Sequence, residues 1–491
     1  MRFTTAVTFF LSLTSMAVAA ETIVKDGDKQ TLNITVYNQN LALVKDVRKV
    51  DWQKGINDIA FEGVASGIKP ETAILYAQGI KVLEQNYDYD ILDLNNIIEK
   101  SIGKTVKTLK INPTNGEKIF DSAKIISFSN NTPILEFNYG IDANFDGQLL
   151  FEDLPEGLRR KPTLVAKIYS DTDNSGNLSL AYLTNGISWR ANYVANVIDN
   201  TKLDLTAWVT INNESGIDYN NANVQLVAGQ INQTRSNSAY FGEMRAMAVA
   251  APKMAMADGI EIAQEDISAY HLYTLPNKTT IKDKQTKQIT LMERNAVKYT
   301  KEAELTSPLH FFPNSDIEFK NKHLSMYYNL INNTASNLGV QLPAGTIRFY
   351  ENDTQGNLQF IGENTITHTA KEEKMHLYLG DYGNIFANGK ISKITKLDNE
   401  QIKTDSESCS IFYTPYSYEA EIKVYNSGKT KEQIKIKQNI PQDAEIISQN
   451  IKGQSTHSGM YEWTFSVAPE SNQTLTFTLK APHIRKRTCN K

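Results

Sequence analysis

Strict alternation of apolar and polar residues is the feature that most limits what this chain can become. Successive side chains on a strand point to opposite faces, so a period of two marks strands with one buried face. Trp189-Ala191-Tyr193-Ala195-Val197 and Leu203-Leu205-Ala207-Val209-Ile211 show it, as do Tyr461-Trp463-Phe465-Val467 and Leu475-Phe477-Leu479. Turn formers separate such runs, for example Asp173-Asn174-Ser175-Gly176 and Asn426-Ser427-Gly428. One helix is expected between Leu92 and Ile102: Leu94, Ile97, Ile98 and Ile102 share a face, Asp93 can cap its start and Gly103 can end it. Trp189, Trp208 and Trp463 lie on alternating strands, where core packing is the expected role.

A weak internal repeat refines this picture. Val209-Thr210-Ile211-Asn212-Asn213 runs into an Asn turn, and Leu226-Val227-Ala228-Gly229 closes the next strand. Asn329-Leu330-Ile331-Asn332-Asn333 followed by Leu342-Pro343-Ala344-Gly345 repeats it, and so does Ile422-Lys423-Val424-Tyr425-Asn426 followed by Ile440-Pro441-Gln442-Asp443-Ala444. Asn tolerates left-handed turns, and Pro or Gly stops a strand where the chain changes sheet. The expected fold is mostly β: tandem Ig-like antiparallel β-sandwich modules with a small N-terminal α/β or small-barrel element.

With 491 residues, roughly 150 per domain gives about three domains. The expected divisions are 1–20 (signal peptide), 21–90 (N-terminal β domain), 91–158 (short helix plus small β-barrel-like element), 159–300 (β-sandwich), 301–384 (second sandwich), 385–482 (C-terminal Ig-like sandwich) and 483–491 (basic tail). An Ala/Met-rich strip at 242–263, broken by Pro252, reads as a long insertion between strands. The tail His483-Ile484-Arg485-Lys486-Arg487 reads as a solvated end.

Residues 1–20 have the pattern of a secretory signal: Arg2 is their one charge, Phe3 to Met16 are apolar or hydroxylic, and Ala17-Val18-Ala19-Ala20 offers small residues for cleavage. Export to the periplasm, cell envelope or medium of a bacterium is the expectation, with no membrane span in the mature chain. Lys and Arg total 51 against 55 Asp and Glu, a balance that argues against a nucleic-acid partner. An oxidising compartment permits disulfides. Cys409 and Cys489 are the two cysteines, and a bridge and two separate thiols both remain open.

Several blocks carry a family likeness: LNITVYNQNLALVKD (32–46), PETAILYAQGIKVLEQNYDYDIL (70–92), LSLAYLTNGISWRANYVANV (178–197), LDLTAWVTINNESGIDYNNANVQLVAG (203–229), TTIKDKQTKQITL (279–291) and VQLPAGTIRFY (340–350). In that order they resemble the bacterial secreted proteins gathered as domain of unknown function 4139. The resemblance covers nearly all of the mature chain. It implies an exported, β-rich protein and brings no established reaction and no catalytic motif.

Catalytic signatures are missing from the sequence. Gly186-Ile187-Ser188-Trp189-Arg190 lacks the second glycine of a nucleophile elbow and sits on a strand pattern. Gly103-Lys104-Thr105 and Gly428-Lys429-Thr430 lack the earlier glycine of a phosphate loop and read as turns. For metal, Asp142-Ala143-Asn144-Phe145-Asp146-Gly147 copies the oxygen-rich start of a calcium loop, with Asp153 at its twelfth position. Asp there reaches less far than Glu, and the strand-like Ile134–Gly140 precedes it, so a polar hairpin turn competes. Met244, Met247, Met254 and Met256 could bind Cu(I), but their spacing gives no regular chelate.

The leading expectation is an exported envelope protein that binds or supports without catalysis, taking an envelope protein or glycan as partner and no cofactor. The alternatives are a secreted hydrolase of envelope polymer using Asp88 and Asp90, and a calcium-stabilised adhesion module using Asp142, Asn144, Asp146 and Asp153.

Overall fold

The computed structural model describes residues 21–88, 92–153, 155, 157–229, 263–267, 270–313, 318–397, 401–406, 409–441, 443–456 and 459–489, with backbone alone at 263–267, 401–406, 409–412 and 484–489. The fold is mostly β and has several sheets. The expected signal segment 1–20, residues 242–262 of the Ala/Met-rich strip with its four methionines, and Asp90 lie outside the described residues.

Two compact units emerge. The first comprises the described residues of 1–189, 211–258 and 262–287, and the second those of 190–210, 259–261 and 288–491. In the first unit, Thr22–Val24, Gly55–Glu62, Thr163–Ser170 and Ile80–Asp88 lie side by side in that order. A mixed sheet is centred on Lys29–Tyr37, Leu41–Trp52 and Asn174–Thr184, all antiparallel, with Tyr219–Ala228 parallel to Lys29–Tyr37. Its alternation is that of the sequence: Leu32, Ile34, Val36, Leu178, Leu180 and Tyr182 are buried.

A third sheet follows the order Gly140–Asp142, Thr132–Phe137, Lys118–Ser129, Thr105–Ile111 and Gln148–Leu150. The expected helix, Leu94–Lys100, puts Ile98 into its core beside Val106, Ile125 and Leu135. Asp93 caps that helix by accepting the Asn96 N–H at 2.9 Å. Gly103, at φ +85°, makes the turn that leads out of it.

The second unit is built on a long sheet. Ile187–Asp199, Lys202–Asn213, Gln285–Ser307, Glu318–Ile331, Lys374–Lys396, Cys409–Asn426 and Ser471–Cys489 are successive neighbours. Glu432–Asn439 joins Gln285–Ser307 in parallel and Met460–Val467 in antiparallel. Ala303, Ile422, Val424, Ile434, Trp463 and Leu475 form its core, and Trp463 stacks on Phe477 with centroids 4.6 Å apart.

The weak sequence repeat has a shared physical basis. Asn213, Asn332 and Asn426 are buried at or just past the end of a strand. Each amide donates to three backbone carbonyls: Asn213 to Ile217, Ile281 and Lys282; Asn332 to Val340, Thr369 and Ala370; Asn426 to Thr430, Val467 and Ala468. The carbonyl oxygen of each accepts a backbone N–H of its own loop, from Ser215, Gly339 and Gly428. Two of the three accepting carbonyls always end a neighbouring segment. The turn after that segment carries a left-handed residue each time: Lys284 at +55°, Glu372 at +67° and Glu470 at +50°. One side chain thus ties the ends of two segments together through their carbonyls, of which Thr369 O, Ala370 O and Ala468 O also accept from the Leu342 and Glu373 N–H groups and the Ser471 hydroxyl.

Three expectations need correction. Trp208 is half-buried, not core. The same alternation that buries Leu205, Ala207 and Val209 turns Trp208 to the other face. Residues 483–489 are not a loose tail: Ser471–Cys489 is one strand, paired through to Cys409. Backbone pairing continues there whatever the side chains are. Finally, the divisions at 300/301 and 384/385 fall inside the unbroken strands Gln285–Ser307 and Lys374–Lys396, and strands this long hide boundaries because alternation does not stop where a core ends.

Candidate functional site

Strand Gln285–Ser307 exchanges neighbours partway along its length. The Tyr299 N–H donates to Thr201 O at 3.0 Å, whereas parallel pairing with Glu432–Asn439 begins at Ala303 opposite Ile434. Where the Asn200–Thr201 turn and the Thr430–Gln433 segment diverge, a cleft of about 560 Å³ opens in the second unit. Lys301, Glu302, Asn329, Lys431 and Ser466 also line it.

Tyrosines gather on one face of the strand. Tyr299 stacks on Tyr328 with centroids 4.6 Å apart. Tyr382 donates its hydroxyl to Glu432 Oε2 at 3.3 Å, and Thr430 donates to the other oxygen at 2.6 Å. The Lys301 ammonium lies 5.4 Å from the centre of the Tyr382 ring. Burial, with the nearby Glu351 charge, pushes the Tyr328 phenol up to about 12. Burial first, and then Glu432, raises Tyr382 well above the ordinary tyrosine value. These phenols are held neutral, as donors rather than bases.

Charges interlock on the opposite face. Glu302 Oε2 accepts from Lys435 Nζ at 2.8 Å and from Asn329 Nδ2 at 3.2 Å. Glu304, 5% exposed, accepts from Lys437, and its other oxygen lies 3.3 Å from His376 Nε2 and 3.5 Å from Lys435 Nζ. The His376 ring stacks flat on Tyr327 at 4.1 Å, with Nδ1 on Asn329 Oδ1. Burial raises the Glu304 pKa, but the Lys437 hydrogen bond and charge, with His376 and Lys435, outweigh it and hold this carboxyl below its ordinary range.

A second cleft, about 530 Å³, lies in the first unit at the Asn213 corner. Both of its carboxylates are engaged: Asp283 accepts the Gly216 N–H at 2.8 Å and Glu214 accepts the Asn212 side-chain amide at 3.0 Å.

Among the described residues, Asp88, Asp142, Asn144, Asp146 and Asp153 line neither cleft, while Thr430 lines that of the second unit. Asp142 ends a short strand and accepts the Asn144 N–H at 2.9 Å, as a polar turn requires. Asp146 and Asp153 are exposed. A Cβ on Gly147 would lie 2.4 Å from the Phe145 ring, so this glycine is needed for close packing. Among the described residues, no three His, Cys, Asp or Glu side chains gather as a metal site. Asp88 pairs with Arg159 at 2.9 Å, and that guanidinium also holds both oxygens of Glu21. Gly428-Lys429-Thr430 belongs to the Asn426 corner. Cys409 and Cys489 are opposed in the register of their two strands, their side chains lying outside the described residues.

The interlocked charges escaped sequence reasoning, although a signal for them exists. Glu302-x-Glu304 and Lys435-x-Lys437 are spaced to put like charges on one face of each strand, and the two strands turn out to be neighbours. The tyrosine cluster left no such trace, because alternation marks Tyr only as a core residue.

No curated protein matches the chain. A family model described as "Domain of unknown function (DUF4139)" matches residues 178–484, which include every residue lining the cleft of the second unit. Since the match spans more than half of the sequence, the chain belongs to the DUF4139 family.

Proposed function

We propose that this is an exported, non-catalytic binding protein whose second-unit cleft takes a polar, hydroxyl-rich ligand with an anionic group, of the kind a glycan of the cell envelope offers. One observation carries this reading: both carboxylates of the cleft are already engaged, Glu302 by Lys435 and Asn329, and Glu432 by Tyr382 and Thr430. A hydrolase acting there would need an acid and a base free to exchange protons with substrate. What the cleft offers instead is Lys301 and Lys431 for an anion, with the Gln433 amide nitrogen, whose oxygen already accepts from Ser466, as a donor to a hydroxyl.

The three Asn corners support reading the chain as tandem Ig-like modules, which present recognition surfaces at loops and strand ends. Export fits the anchoring of Glu21, the residue after the expected cleavage position. Arg159 holds it through two hydrogen bonds of 2.6 and 2.8 Å, so processing there would leave the first strand, Thr22–Val24, in place.

Calorimetric titration of the full mature chain with acidic and neutral envelope oligosaccharides tests this reading. Saturable binding of an acidic glycan, weakened about tenfold in Lys301→Met with the glycan recovered intact, supports it. Cleavage of the glycan, or equal binding by Lys301→Met, overturns it.

A further inference from the structure

The C-terminal strand pair brings together the only two cysteines in the chain. Cys409 opens the strand Cys409–Asn426 and Cys489 closes the strand Ser471–Cys489. The antiparallel register sets them directly opposite, followed by Ser410 opposite Thr488, Ile411 opposite Arg487 and Phe412 opposite Lys486. A bulge between Phe412 and Tyr413 then separates these four pairs from the rest of the ladder. On its other edge, Cys409 pairs with Ser406 of Gln401–Ser406, so its backbone is held from both sides.

Directly opposed residues on antiparallel strands have Cα atoms about 4.5 or 5.5 Å apart, depending on the pair type. Both separations fall inside the range of about 4.4–6.8 Å that a disulfide spans. Eighty residues of sequence separate the two positions, so their meeting is a property of the sheet and not of local chain geometry.

We infer that Cys409 and Cys489 form an intramolecular disulfide that clasps the outer end of this ladder beyond the bulge. Formation removes two protons and two electrons from the two thiols. A small-molecule or protein disulfide, such as oxidised glutathione, accepts them and is released as two thiols. Without the bridge, no covalent bond ties the four terminal pairs beyond the bulge together. With it, the end of the last strand is tied across an 80-residue loop, which restricts the unfolded chain more than the folded one.

The test uses the full chain, reduced and then equilibrated with excess oxidised glutathione at low protein concentration. Intact-mass and peptide mapping should find the chain lighter by two hydrogens, with Cys409 and Cys489 in one linked peptide pair. Reduction should lower Tm by roughly 5 °C or more, and the double variant Cys409→Ser/Cys489→Ser should melt with the reduced form. Glutathione adducts, a disulfide-linked dimer, or two thiols still free would overturn the inference. This outcome does not depend on the glycan-binding reading, since neither cysteine lines the cleft.

Discussion

Arg48 is fully buried and closes on Asp46, with Nε and Nη2 at 3.1 and 2.8 Å from the same carboxylate oxygen. Its Nη1 donates to Val24 O at 2.9 Å and to Glu62 O at 2.7 Å, while the Phe61 ring lies 4.1 Å from the guanidinium carbon. One planar cation thereby joins the first strand, the strand Gly55–Glu62 and its own strand. A point charge on a flexible stem could not reach all of these acceptors at once.

Removing either charge leaves the other buried with only a longer contact, Arg48 with Asp26 at 3.6 Å or Asp46 with Lys29 at 3.7 Å. Asp46→Asn and Arg48→Met should each cost about 3–5 kcal/mol in urea unfolding. Arg48→Lys keeps the charge but loses the fork, and should recover less than half of that. Wild-type stability in Arg48→Lys would show that charge alone matters at this site.

The three Asn corners predict three matching effects. Replacing Asn213, Asn332 or Asn426 by Ala removes the amide's bonds to three carbonyls and should cost about 1–3 kcal/mol at each position. Asp in the same place should be worse, because an acceptor-only carboxylate would face three carbonyl oxygens. Thermal melts at pH 7 check this; an Asp variant as stable as its Ala counterpart would sink the account.

How much of this was legible in advance follows from the range of each interaction. The helix Leu94–Lys100 and its Asp93 cap depend on residues three and four apart, and the sequence displays them directly. The corner asparagines were visible as turn residues, but not as donors to carbonyls such as Ile281 O and Val467 O, 68 and 41 positions away. Glu302 and Lys435 are 133 positions apart and meet only because two strands are adjacent and parallel. The cleft of the second unit escaped for the same reason: it arises where a strand changes partner, which no local pattern records.

Trp208 and Trp463 separate the two faces experimentally. Trp463 is buried and stacked on Phe477, so Trp463→Ala should cost about 3–5 kcal/mol. Half-buried Trp208 on the opposite face should cost less than half as much as Ala. Denaturant melts with equal losses would place both in a core.

Acid should act on the interlocked charges through Glu304. Its pKa in the folded chain lies below the ordinary 4.5, because Lys437, His376 and Lys435 outweigh the effect of burial. A depressed carboxylate binds its proton more weakly folded than unfolded. Its contribution is therefore fully present above about pH 4.5 and fades as pH falls through the lower folded value. Stability against urea should fall on acidification below pH 4.5, and Glu304→Gln should flatten this part of the slope while lowering stability at pH 7. An unchanged acid slope in Glu304→Gln would assign the acid sensitivity to other carboxylates.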